Sequence, residues 1–554
     1  MPIVLRAWLP AVMLALAGGC DPGNGDNSDP LPLPSGGAGG GGGEQVGGGG
    51  SPSNGGSGGI GPSGGGGEGG QVSTGGGGSG EGACDSGGPV LETAGATDAY
   101  LLKGTLLLPG GPTEGELLIA GNLIACVGAS CSGEPEADGA TVIDTKGVIA
   151  PGLIDAHNHI LFDIFDEDDW APTQTYTNHD QWPNDDRYGA MVDAKQYLAG
   201  EGSSPVDFGC ELDKYGEIKA LVAGTTSVQG SPGATNRGCY RTVARTIDQT
   251  YNGLPDDNMQ TATVFPSTSS ADGVCNNFND GDTTAYVIHI GEGVDATARD
   301  EFNDLFTVTS TDGCLYDDKT TIVHGTALDD AQLTTMGDNG MSLVWSPRSN
   351  VFLYGAGTDT SKTTNIPKAL AEGINVAIAP DWSIGGSQNM LDELRYADFV
   401  DDAEFGNMLD SRDLFEMATS HAAIALGVEA YVGSLVEGKR ADIAVFLPSG
   451  ADPYEAVLAA SPREVTLVFV DGRLLYGDAD LVDVGPSDGI CETVDMCCRD
   501  KFLCIAQSGG SAADMLGQTL ADIQQALGDA MTDYDDLNLT EWDFAPITPV
   551  VKCP

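Results

Sequence analysis

The chain runs to 554 residues, 40% of them apolar, which is enough to fill the core of a large domain with accessory segments around it. Its 81 acidic residues outnumber 24 basic ones, for a formal net charge of -57, and such a field repels nucleic acid and anionic membrane surfaces. Polyanionic partners are therefore excluded, while the charge itself fits solubility or a salty exterior and says nothing about chemistry.

Residues 1–20 carry a single basic residue, Arg6, ahead of an apolar run from Trp8 to Ala17, then small residues and Cys20. That pattern predicts a secretion signal, because the run is too short for a membrane span. Its ending, LALAGGC, resembles a bacterial lipoprotein box with Ala17 where leucine is commonest. The resemblance implies lipidation at Cys20 and export to the bacterial cell envelope, in the periplasm or on the outer surface. Residues 21–84 are dominated by glycine and serine and hold almost no apolar side chains. They cannot offset the entropy of ordering, so a flexible tether is expected between the anchor and the folded enzyme. With Cys20 set aside, the remaining cysteines are even in number, which suits disulfides in an oxidising compartment. Local spacing pairs Cys126 with Cys131, Cys210 with Cys239, and Cys275 with Cys314. The cluster Cys491, Cys497, Cys498 and Cys504 reads as disulfides, with a zinc knot of four thiolates as the alternative.

Folded structure is expected from Ala99. AYLLKGTLLLPGG, GELLIAGNLIACVG and ATVIDTKG are short apolar runs punctuated by glycine, asparagine and aspartate, the marks of hairpin strands. GVIAPGLIDAHNHI follows, apolar through Val148, Ile149, Leu153 and Ile154 and ending on His157 and His159. Residues two apart on an extended strand share a face, so both rings can converge on one point. That is a metal-binding geometry; two exposed loop histidines are the alternative. From residue 150 to 430, helix-like stretches at Tyr215 to Val222, Arg237 to Tyr251 and Ile366 to Glu372 alternate with β-branched runs. Such alternation predicts a (β/α)8 barrel, whose catalytic groups sit at strand carboxyl ends. The polar residues ending the apolar runs are His157 and His159, His289 with Glu292 three positions on, His324, and Asp381. The run AGTTSVQG, Ala223 to Gly230, carries no obvious ligand. GSLVEGKRADIAVF and VTLVFVDGRLLY then return to strand character. The tail from Gly485 holds the cysteine cluster and a helix with Leu516, Leu520, Ile523, Leu527 and Met531 on one face, expected to pack on the barrel or the strands before it.

PGLID followed by HxH resembles the first barrel strand of the amidohydrolase superfamily, and GSLVEGKRAD resembles that superfamily's GxLxxGKxAD signature. The HxxE from His289 to Glu292 resembles the mononuclear branch containing cytosine, guanine and adenosylhomocysteine deaminases and triazine chlorohydrolases. The resemblance implies an α/β fold: a (β/α)8 TIM barrel over 150–430, a small β-sandwich composed of 99–149 and 431–478, and a cysteine-rich tail over 485–554. It also implies one divalent ion, zinc first and iron second, held by His157, His159, His289 and Asp381. Asp381 takes a proton from the metal's water, Glu292 shuttles protons to the substrate nitrogen or leaving group, and His324 hydrogen-bonds the water or the tetrahedral centre. A water on such an ion ionises near neutrality. Glu292 as a solvated loop acid and His324 as a structural histidine are the bland alternatives. Binuclear relatives bridge two metals with a carboxylated lysine or a glutamate, and none occurs between Lys219 and His289.

WSPRSNVFLYG, Trp345 to Gly355, resembles the PxSN segment, where Arg348 and Asn350 order the site or touch substrate. The insertion from Leu161 to Tyr188 departs from the nucleobase deaminases and is rich in aromatic and acidic residues. Its Trp170 and His179 are expected to bind a cationic or heteroaromatic small molecule, unless the loop is simply a packed lid. His421 is read as structural. The reading is an exported amidohydrolase, membrane-associated only through a lipid anchor and with room for a homo-oligomer. Its metal-bound hydroxide attacks a carbon bearing nitrogen, by deamination or cyclic-amide hydrolysis. The alternatives are a hydrolytic dehalogenase of the same fold and a non-catalytic surface binding protein.

Overall fold

A computed structural model describes residues 87–230, 243–248, 253–254, 259–487, 489–507 and 517–553. The signal, Cys20, the glycine-rich tether, Cys239 and Leu516 lie outside the described residues.

Eight parallel strands build the barrel. Leu153–Asp155, Thr225–Val228 and Arg245–Thr246 form one run of neighbours; Met259–Ala262, Ala285–Ile290, Thr320–His324, Ser342–Trp345 and Asn375–Ile378 form the other. Leu153–Asp155, Ala285–Ile290, Ser342–Trp345 and Asn375–Ile378 are largely apolar because helices cover the outside and the barrel interior is packed. Every residue of Ala285–Ile290, AYVIHI, is buried. The seam between the first and eighth strands closes just past their ends. Asn158 and Asp381 form a parallel bridge, with His159 N donating to Asp381 O at 2.7 Å and Asp381 N to His157 O at 3.1 Å. This seam sets HxH directly against Asp381, although 224 residues separate His157 from Asp381.

Ahead of the barrel, the strand Ala140–Pro151 pairs antiparallel with Ile443–Phe446, from Val148 against Phe446 to Pro151 against Ile443. The two halves flanking the barrel therefore belong to one sheet, and Tyr100, Leu117, Ile443, Leu467 and Phe469 share its buried core. Gly152 links this sheet to the first barrel strand, where a Cβ would stand 2.2 Å from Thr226 Oγ1, a close approach that only glycine allows. The sheet reaches further than 99–149 and 431–478. It starts with Val90–Thr93, and the tail hairpin Gly489–Asp495 with Asp500–Gln507 pairs onto Arg473–Asp478.

The expected helix from Arg237 to Tyr251 is corrected within its described part. Arg245–Thr246 is a strand paired with Ser227 and Val228. Cys126–Cys131 and Cys275–Cys314 pair as expected, and Cys210 is disulfide-bonded. Cys491 pairs with Cys504 and Cys497 with Cys553, which consumes three of the four thiolates that a zinc knot would need. The tail helix Leu520–Asp536 opens on a capping box of Thr519 and Asp522. It buries Leu520, Ile523, Leu527 and Met531 against the helices Asp186–Leu198 and Gly209–Val222. Among the described residues no helix is long and apolar enough to cross a membrane.

Candidate metal centre

His157, His159, His289 and Asp381 each offer one donor atom, and these atoms lie within 4.8 Å of one another. His157 Nε2 is 3.1 Å and His159 Nε2 3.5 Å from Asp381 Oδ1. The imidazole rings of His157 and His289 approach to 4.6 Å between centroids. Outer contacts fix how the rings point. His157 Nδ1 faces Gln229 Oε1 at 2.9 Å, His289 Nδ1 faces Ala262 O at 3.4 Å, and Ser349 Oγ donates to Asp381 Oδ2 at 2.5 Å. Gln229 is itself held by Asp248, to which its Nε2 donates at 3.1 Å. With Nδ1 engaged outward, Nε2 of His157 and His289 is left for the shared centre, the arrangement that metal-ligating histidines need.

The backbone also aims these groups. His324 and Asp381 have φ of 68° and 71°, left-handed values that cost a residue with a Cβ roughly 1–2 kcal/mol. His324 is the last residue of its strand and Asp381 lies three residues past the end of Asn375–Ile378, both at the carboxyl-end mouth of the barrel.

Burial opposes charge on every member, and the set divides accordingly. Burial drives His159 down to about 4 and His289 well below the usual histidine range, so both are neutral and free to donate a lone pair. Burial alone would raise Asp381, yet the hydrogen bond from His157 and the neighbouring imidazoles hold it well below the ordinary carboxylate range. Three imidazoles and one ionised carboxylate, drawn together, form a donor set that suits a divalent ion such as zinc.

Beside this set, Glu292 and His324 converge with His289 within the same 4.8 Å limit. Glu292 is buried, with Oε2 3.8 Å from His324 Nε2 and 3.5 Å from His179 Nδ1. Tyr354 donates to Glu292 Oε1 at 2.8 Å. Burial would raise Glu292, but the His324 and His179 imidazoles lower it, which keeps the carboxylate ionised. His324 Nδ1 and Trp382 Nε1 are buried without a partner among the described residues, polar atoms that a bound molecule can satisfy.

The other expected residues divide. Arg348 stacks on Tyr396 at 5.3 Å, and Asn350 donates to Thr364, whose hydroxyl in turn donates to His324 O. It is the serine between them, Ser349, that reaches the metal cluster. Trp170 is fully buried against Trp182, Tyr188, Phe352 and Trp382, with Nε1 donating to Asp185. Its place is within the packed roof. Trp382 carries that roof to the cluster, 6.0 Å from the His159 ring. Lys219 donates to Asp163 O and Gln388 Oε1, so its ammonium is spent on the barrel wall. Sequence spacing does not single out Gln229, Ser349 or Tyr354; the one signal is that Gln229 directly follows the strand Thr225–Val228.

The model of the Amidohydrolase family matches residues 279–475. The 5'-deoxyadenosine deaminase of Methanothermobacter thermautotrophicus is 25% identical over 418 residues, 69% of this chain and 94% of that protein. A 5-methylthioadenosine/S-adenosylhomocysteine deaminase of Desulfitobacterium hafniense is 25% identical over 67% of this chain and 90% of its own length. Among solved structures, a variant of atrazine chlorohydrolase from Arthrobacter aurescens TC1, complexed with zinc and atraton, shares the fold. Its TM-score is 0.54 at 18% identity, over 68% of this chain and 95% of that one. The barrel, its flanking sheet and these matches agree: the chain is similar to the amidohydrolase family in sequence over residues 279–475 and shares the fold of its solved relative.

Proposed function

We propose that this hydrolase, acting on carbon–nitrogen bonds other than peptide bonds, is a mononuclear zinc deaminase of a heteroaromatic amine of nucleoside type. The observation that carries the reading is the convergence of three imidazoles and Asp381 beside an ionised Glu292. His157, His159, His289 and Asp381 would hold the ion. A divalent ion bound there supplies Lewis acidity and a water whose proton is lost near neutral pH. Asp381, kept ionised by its imidazoles, is the base nearest the centre. Glu292, which converges with His289 and His324 beside the cluster, would move a proton to the amino group that leaves. His324 Nε2, 3.8 Å from Glu292, stabilises charge developing on the attacked carbon's oxygen. The Trp382 face and the aromatic roof around it would shield the site from water and offer a flat ring a stacking surface.

Support for the substrate class comes from the named relatives, which deaminate 5'-deoxyadenosine, 5-methylthioadenosine or S-adenosylhomocysteine. The test is ammonia release from the purified, zinc-analysed protein over those compounds, guanine, cytosine and triazines. Release from at least one with one zinc per chain is expected; a zinc-bearing protein inert across the panel would contradict deamination. The same reading places the enzyme outside the cytoplasm on a lipid at Cys20. Metabolic labelling with a palmitate analogue checks this, since label surviving in Cys20→Ala would refute it.

A further inference from the structure

The insertion after HxH is fastened to the turn that carries Glu292. Val294 N donates to Thr177 O at 2.7 Å, His179 N to Glu292 O at 3.2 Å, and Asn178 bridges Gly293. Thr177 Oγ1 and Asn178 Nδ2 both donate to Asp295 Oδ2 at 2.7 Å. The approach is close enough that a Cβ on Gly293, at φ 154°, would stand 2.6 Å from Thr177 O. A loop held by so many bonds presents its side chains in a fixed place.

What it presents is His179. Its Nε2 lies 2.7 Å from Glu301 Oε1 and its Nδ1 3.5 Å from Glu292 Oε2. Glu301 is braced in turn, since its Oε2 accepts from Gly291 N at 2.8 Å. Both ring nitrogens of His179 thus face carboxylate oxygens, which only accept, so the ring that fits is the doubly protonated one. Burial disfavours that charge, but the two carboxylates push His179 up to about 11. A ring with both nitrogens engaged has none to offer a substrate, contrary to the substrate-binding role that the sequence suggests for it.

We propose that His179 is a positioning residue: as an imidazolium clamped between Glu301 and Glu292, it fixes the Glu292 carboxylate beside the metal cluster. The insertion then completes the catalytic arrangement in addition to roofing it. Tyr354 holds the other Glu292 oxygen, so the carboxylate is gripped at both oxygens and keeps one orientation between turnovers. This rests on Glu292 acting as the proton shuttle of the hydrolase reading.

Two measurements decide it. Histidine-labelled, zinc-loaded protein carries 6 imidazoles, and nitrogen-15 spectra at pH 8 are expected to show one with both nitrogens protonated, absent from His179→Asn. In kinetics, His179→Asn should lower kcat about 10- to 100-fold, the range for lost outer-shell support, with KM and zinc content unchanged. Glu301→Gln should give a smaller loss, and the double variant should be no slower than His179→Asn alone, because both changes break one clamp. His179→Ala, judged by its melting temperature, separates a folding defect from a kinetic one. A neutral His179 at pH 8, an unaltered kcat, additive losses, or zinc lost along with activity would each overturn the proposal. Should the unmodified protein turn over nothing in the substrate panel, the hydrolase reading fails by itself and the spectrum alone decides the clamp.

Discussion

Asp381 shows how much one residue is asked to do here. It donates an oxygen to the cluster, receives Ser349, and sits at φ 71° on the seam that closes the barrel. Asn is the residue besides glycine that best tolerates that backbone, so Asp381→Asn separates charge from fold. It should melt close to the parent while kcat falls about 10²–10⁴-fold, the range for a lost proton-transfer group. Gln229 acts one bond further out. Gln229→Ala removes the partner of His157 Nδ1 and should weaken zinc binding about 10- to 100-fold in a chelator competition, with the melting temperature little changed; unaltered affinity would count against that role. The sequence made His157, His159, His289, Glu292, His324 and Asp381 visible because each ends an apolar strand run with a side chain of known chemistry. Gln229, Ser349 and Tyr354 were not visible: they work through one hydrogen bond to another side chain, and no spacing announces such a contact.

At the scale of elements, the helix Met390–Val400 carries a buried acid beneath the site. Glu393 is wholly buried, accepting from Arg348 N and from Ser387 Oγ. Burial pushes its carboxyl up to about 7 against these hydrogen bonds. The folded pKa is then above the unfolded one, so the group's contribution to stability is fully present below about pH 4 and is lost as pH rises through about 7. Glu393→Gln removes the buried charge and keeps a donor and an acceptor. It should be more stable than the parent at pH 8, by a few kcal/mol at most (of order 1.4 per pKa unit), and no more stable at pH 4. Melting curves at the two pH values check this, and an equal difference at both would refute it. Elements were legible where periodicity was long. Tyr215 to Val222 and Ile366 to Glu372 read as helices and fall on Gly209–Val222 and Ile366–Ala371, whereas Arg245–Thr246 does not read as a strand, because two paired residues leave no alternation to detect. The hairpin Gly489–Asp495 with Asp500–Gln507 is obscured by its own cysteines, which read as crosslinks with a zinc knot as the alternative.

Across the whole molecule, the chain's end is strapped back onto the segment that follows HxH. Thr548 N donates to Ile164 O at 2.8 Å and Thr548 Oγ1 to Asp166 at 2.6 Å, while Lys552 pairs with Asp166 at 2.9 Å. Phe544 packs on Phe165 at 5.8 Å, and Cys553 ties the strap to Cys497 in the turn of the tail hairpin. Replacing both cysteines by serine should cost about 2–4 kcal/mol of stability and should speed zinc loss to a chelator. Denaturant unfolding and a release assay check both; a destabilised protein that holds zinc as well as the parent would show that the strap serves stability alone. This long-range tie was beyond the sequence, since nothing local marks Thr548 or Cys553 as neighbours of residues nearly four hundred positions earlier or of the hairpin.

In the proposed centre three histidines and one aspartate share a single ion at the barrel mouth. X-ray absorption at the zinc edge, with metal analysis of the same sample, tests it most directly. The account predicts one zinc per chain with nitrogen and oxygen neighbours at about 2.0–2.2 Å and the outer-shell pattern of several imidazoles, lost in His157→Ala. Two ions per chain, or sulfur neighbours at about 2.3 Å, would contradict it.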